Sequence, residues 1–91
     1  MKSVKGILEE LVENYPNKEF IAFFETAAKK SPLDFAVCLY ETKRDLDDAV
    51  YQYASSAYWK EARKAAIVSR DAIEKAFSQL PVGLQEEARA H

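Results

Sequence analysis

Glycine and proline are scarce in this 91-residue chain: Gly6 and Gly83 are the only glycines, and Pro16, Pro32 and Pro81 the only prolines. Two glycines so far apart cannot wrap backbone N–H groups around a phosphate, which excludes the glycine-rich nucleotide motifs. Histidine is rarer still. His91, the last residue, stands alone, and a base or metal ligand there lacks rigid surroundings. That removes His-based nucleophilic triads, H-E-x-x-H zinc sites and the E-x-x-H helices of di-iron bundles. Cys38 is the single cysteine, so no intramolecular disulfide can form and a cysteine metal site lacks partners. Between Val37 and Leu39 it reads as a small buried hydrophobe, and a lone thiol fits a reducing compartment. No stretch approaches the roughly 18 apolar residues of a membrane span. Glu9, Glu10 and Glu13 interrupt any secretory signal near the start. The expectation is a soluble cytoplasmic chain with neither metal nor cofactor.

What is abundant is helix-forming and apolar material. Hydrophobic residues make up 48% of the chain and aromatics 12%, enough for one core and against wholesale disorder. Ninety-one residues make one domain, close to the size at which a lone core is marginal and self-association is a common remedy. The net charge of −2 lacks the positive excess of a general nucleic-acid binder.

Val4, Ile7, Leu8, Leu11, Val12 and Tyr15 recur at the spacing of one helical face. Ser3 can cap that helix, and Pro16 ends it by disfavouring helical geometry at Tyr15. Asn17 can cap a second, shorter helix whose expected buried stripe is Phe20, Phe23, Phe24 and Ala27, with Ile21 on its flank. Ser31-Pro32-Leu33-Asp34 is a third start signal, a capping box with Asp in place of Glu and Pro at the first helical position.

From Pro32 to Leu80 there is no glycine and no further proline, and the stretch reads as helix throughout. Phe35, Cys38, Leu39, Thr42, Leu46, Ala49, Val50 and Tyr53 gather on one face. Trp59, Ala62, Ala66, Ser69, Ile73, Ala76, Phe77 and Leu80 form another, which on one straight helix would lie roughly opposite the first. A reversal near Ala54–Ala57 lets both faces meet one core. Charge agrees. Residues 32–54 carry a formal −3, from Asp34, Glu41, Asp45, Asp47 and Asp48 against Lys43 and Arg44. Residues 57–80 carry +2, from Lys60, Arg63, Lys64, Arg70 and Lys75 against Glu61, Asp71 and Glu74. The expected fold is all-α: a compact four-helix bundle over residues 1–91, with helices near 3–15, 18–30, 32–54 and 57–80. Two short N-terminal helices precede a long antiparallel helical hairpin, and 81–91 is a short turn or tail.

Two surfaces could carry function. Tyr40, Arg44, Asp47, Tyr51 and Tyr58 share one side of the third helix, and Tyr and Arg are enriched at protein interfaces. Lys60, Arg63, Lys64 and Arg70 form a basic outer face on the fourth helix, which could follow phosphates but is diluted by Glu61, Asp71 and Glu74. Carboxylates elsewhere lie on helix faces away from the apolar stripes, so no positioned acid–base constellation is legible and no enzyme is expected. The sequence points instead to a non-catalytic interaction protein. It would be a regulator, inhibitor or assembly factor that binds another protein and self-associates, with a dimer favoured. The alternative is a nucleic-acid-associated protein using the basic face.

Overall fold

The computed structural model describes residues 3–53 and 59–91. Among them are five α-helices and no strand: α1 Val4–Asn14, α2 Ile21–Lys30, α3 Pro32–Tyr53, α4 Lys60–Ser78 and α5 Val82–Ala90, with a 3₁₀ turn at Lys18–Phe20 leading into α2. The chain is all-α. The expected reversal near Ala54–Ala57 lies outside the described residues.

The helix boundaries follow local chemistry. At α1, the Gly6 N–H donates to Ser3 Oγ at 3.2 Å, satisfying one of the orphan donors of a helix start. Pro16 closes the same helix, with Tyr15 extended at φ −80° and ψ 121°. The Glu19 N–H donates to Asn17 Oδ1 at 3.1 Å and starts the 3₁₀ turn. At α3 the Asp34 N–H donates to Ser31 Oγ at 3.0 Å, and the Ser31 hydroxyl donates in return to Asp34 Oδ2 at 2.8 Å. In the usual capping box the acidic side chain reaches back to the cap's N–H. Here that N–H is already committed to Ala27 O, so the carboxylate takes the hydroxyl instead.

The core joins Ile7, Leu11 and Tyr15 to Ile21 and Phe24 of α2, Phe35, Ala36 and Leu39 of α3, Ile73, Ala76 and Phe77 of α4, then Leu80 and Ala88. Phe24 and Phe35 are wholly buried, each stabilising by roughly 1.5–3 kcal/mol relative to exposure. Tyr15 meets Phe24 edge-on at 5.2 Å between ring centroids. α3 packs against α2, α4 and α5, and α1 against α2 and α4. Tyr40 on α3 lies 5.9 Å from Phe77 on α4. Further along α3, Asp47 meets Arg70, an earlier residue of α4, at 3.6 Å.

Two expectations are corrected. The buried stripe of α2 is Ile21, Phe24 and Ala27, while Phe20 and Phe23 are exposed. Phe20 belongs to the 3₁₀ turn that precedes α2, and Phe23 lies about 100° round the helix from Phe24, so with Phe24 in the core beside Ile21 and Ala27, Phe23 falls off the buried face. The segment 81–91, expected as a short turn or tail, is more than that. Val82–Ala90 is a helix. Its Ala88 is buried in the core, and the Arg89 guanidinium sits 5.3 Å from the centre of the Phe77 ring.

Candidate functional site

The helices differ in reach. α3 has 22 residues and α4 19, whereas α1, α2 and α5 have 11, 10 and 9. At 1.5 Å per residue α3 extends about 33 Å and its short neighbours about 14–17 Å. The short helices therefore cover only part of the long pair. The buried residues of α3 and α4 lie at one end, Phe35, Ala36 and Leu39 against Ala66, Ser69, Ile73, Ala76 and Phe77. Among the described residues, none within 43–52 or 59–65 is buried.

Where the cover stops, a groove opens with a volume of about 1330 Å³. One side carries Lys18 and Phe20 of the 3₁₀ turn with Phe23 and Lys30 of α2, and the α3 side Val37, Cys38, Thr42, Leu46 and Ala49 with Asp34, Glu41 and Asp45. α4 contributes the small residues Ala62, Ala65, Ala66 and Ser69. Phe20 and Phe23 stand 44% and 65% exposed, their rings tilted against each other at 5.9 Å.

Polar groups on the floor are few and held neutral. Tyr15 shares a hydrogen bond with the Ser69 side chain, and burial pushes its phenol above the ordinary value against that bond. Burial likewise pushes the Cys38 thiol up, opposed by the neighbouring Thr42 hydroxyl, which donates to the Cys38 carbonyl at 2.7 Å, and reinforced by Glu41. Cys38 is half-buried rather than fully enclosed. A thiol kept protonated is a poor nucleophile. Among the described residues no group of three or more His, Cys, Asp or Glu is placed to hold a metal ion. Such a groove offers apolar contact area under a charged rim, the anatomy of a binding surface.

The residues singled out by spacing are distributed unevenly. Tyr40 is half-buried on Phe77, and Asp47 is engaged by Lys43 at 3.1 Å and by Arg70. Arg44 is exposed, and Tyr51 is 83% exposed. Tyr58 lies outside the described residues. On α4, Lys60, Arg63 and Lys64 are exposed, Lys64 lying 3.6 Å from Glu61. Arg70 is half-buried and engaged by both Asp47 and Asp71. The structure thus brings Tyr40, Asp47 and Arg70 to the contact between α3 and α4 and leaves Arg44, Tyr51, Lys60, Arg63 and Lys64 on the surface. Spacing missed the groove. The available signal was the mismatch between ten-residue and twenty-residue helices.

Comparison with known proteins adds no identity: no family model, no curated protein and no solved structure matches the chain. No helix among the described residues is long and apolar enough to cross a membrane.

Proposed function

We propose that the chain is a non-catalytic protein-interaction module, a small cytoplasmic regulator, inhibitor or assembly factor that self-associates and docks through the groove between α2, α3 and α4. One observation carries the reading: Phe20 and Phe23 stand exposed on the lip of an open groove whose floor runs onto the uncovered half of the long helices. Contiguous exposed apolar surface of this kind marks interaction sites. Burying two Phe side chains contributes roughly 3–6 kcal/mol in the most favourable case, about two to four orders of magnitude in affinity.

The same reading takes α3 and α4 as an antiparallel hairpin within a bundle. Its support is the pairing of Tyr40 with Phe77 and of Asp47 with Arg70, which advance in opposite senses along the two helices. Outside the groove, Arg44 and Tyr51 are the exposed remnant of the interface stripe. For the nucleic-acid alternative, Lys60, Arg63 and Lys64 cluster at the start of α4, where positive charge opposes the helix dipole and contributes more as a contact than as a stabiliser.

Affinity purification from the native host separates these readings. Loss of a bound protein on Phe23→Ser or Tyr51→Ala supports the interaction module. Retention on DNA that falls steeply with salt and is weakened by Arg63→Ala supports the alternative. A chain that retains neither protein nor DNA sinks both.

A further inference from the structure

We infer that α5 is a detachable strap: it undocks as a unit while α1–α4 stay folded, and in leaving it uncovers the Phe77 ring.

The local sources of helix stability are thin in α5. Among the described residues no side chain caps its first turn, and no acidic residue stands there to complement the dipole. Gly83 falls in that turn, where it is less favourable than Ala. The helix has nine residues, fewer than the roughly 12–15 at which an isolated helix becomes even marginal in water. α5 is therefore helical because it is docked, and undocking and unravelling are one event.

The docking itself is slight. α1 buries Ile7 and Leu11 and α2 buries Ile21, Phe24 and Ala27, whereas α5 buries Ala88. Leu84 is half-buried against the core, and Val82 is 68% exposed. What α5 covers is larger than what it contributes. It packs against α3, and its Arg89 lies over the Phe77 ring, which stands 5.9 Å from that of Tyr40. The hydrogen bonds of its side chains sit at the hinge. The Gln85 amide donates to Leu80 O at 2.8 Å and to Ser78 O at 3.4 Å, tying the start of α5 to the end of α4 across Pro81. The turn with Ala88 and Arg89 rests on a methyl group and a cation–π contact.

An element held in this way opens at a lower free energy than the core beneath it. Once it leaves, the pair of Phe77 and Tyr40 joins Arg44 and Tyr51, which are already exposed on α3. The strap thus shows or hides an aromatic face without unfolding the helices that build it.

Native-state amide hydrogen exchange of the full chain tests this. Amides 86–90 are expected to exchange at least about tenfold faster than those of Leu39 and Ile73. They should share one opening free energy, with a shallower dependence on urea than global unfolding. Gly83→Ala should slow exchange in α5 roughly two- to fivefold, matching the helical cost of glycine. Ala88→Asp supplies a second reading. A carboxylate at a position 2% exposed loses its hydration unless α5 leaves. The variant should lose the NMR signature of α5, keep the chemical shifts of α1 and α2, and bind the apolar dye ANS more strongly than wild type.

Exchange in α5 as slow as in the core overturns the proposal. So does a spread of unrelated opening energies along α5, or indifference to Gly83→Ala. An Ala88→Asp chain that unfolds throughout overturns it as well, because α5 is then part of the core, and so does one in which α5 stays docked.

Discussion

The two halves of the long helices are built from the same apolar periodicity but end in different environments. At one end Phe35, Leu39, Ile73 and Phe77 are enclosed by α1, α2 and α5. At the other, Leu46, Ala49, Val50 and Ala62 keep contact with water. An apolar stripe tells which side of a helix seeks cover. It does not tell how much cover arrives, because that depends on the lengths of helices elsewhere in the chain. With α2 about 15 Å long beside an α3 of about 33 Å, the closed half is a core and the open half a surface.

The sharpest way to break this contrast is to remove apolar bulk from each half. Phe35→Ala is expected to cost about 3–5 kcal/mol, because a fully buried ring leaves a cavity behind. Leu46→Ala, already half in water, should cost less than about 1.5 kcal/mol in dilute solution. Urea unfolding at one low protein concentration measures both, and equal losses would mean the outer half has a core of its own.

Alkaline pH probes the closed half next. Burial raises the Tyr15 phenol and the Cys38 thiol, so the folded chain holds protons that the unfolded chain gives up at about pH 10 and 8.5. Above those values the unfolded state binds fewer protons and is favoured. Stability is therefore complete below about pH 8.5 and declines as pH rises through the folded values, by at most about 1.4 kcal/mol per pH unit per group. Thermal melts from pH 7 to 11 should show the decline, with its earlier part removed by Cys38→Ala. A profile flat to pH 11 would mean that neither group is sheltered.

The entry to α3 comes third. Ser31→Ala removes both arms of the cap with Asp34 and should cost about 1 kcal/mol by chemical denaturation. A loss below a few tenths would leave Pro32 as the sufficient start signal. The smallest change is a gain. Gly83 lies within α5 with nothing within 4 Å of an added Cβ, so Gly83→Ala should stabilise by about 0.5–1 kcal/mol. A null result in the same assay would indicate that α5 contributes little to the closed half.

Much of the first 40 residues was legible because their signals are local. Ser3 and Ser31 cap the helices expected of them, Asn17 caps the 3₁₀ turn that leads into α2 rather than α2 itself, and Pro16 ends α1. The phase of α2 was not legible. Three phenylalanines within five residues favour a stripe through Phe20 and Phe23, but Phe24 takes the core with Ile21 and Ala27 and leaves Phe23 about 100° round the helix. α5 was hidden because Leu84 and Ala88 are too few apolar positions to establish a period. Tyr40, Arg44, Asp47 and Tyr51 share an arc of about 60° on α3. The neighbouring α4 falls across that arc, engaging Tyr40 and Asp47 while Arg44 and Tyr51 stay exposed.

By itself the sequence determined the all-α class, the capped starts of α1 and α3 and the inward faces of α1 and α4, since each depends on residues within a few turns of one another. Tertiary structure alone decided that α2 stops short of the outer half of α3 and α4, that Phe20 and Phe23 are left on the lip of a groove, and that Arg70 is engaged by Asp47. Those outcomes follow from how rigid rods of unequal length pack, a quantity that no window along the chain contains.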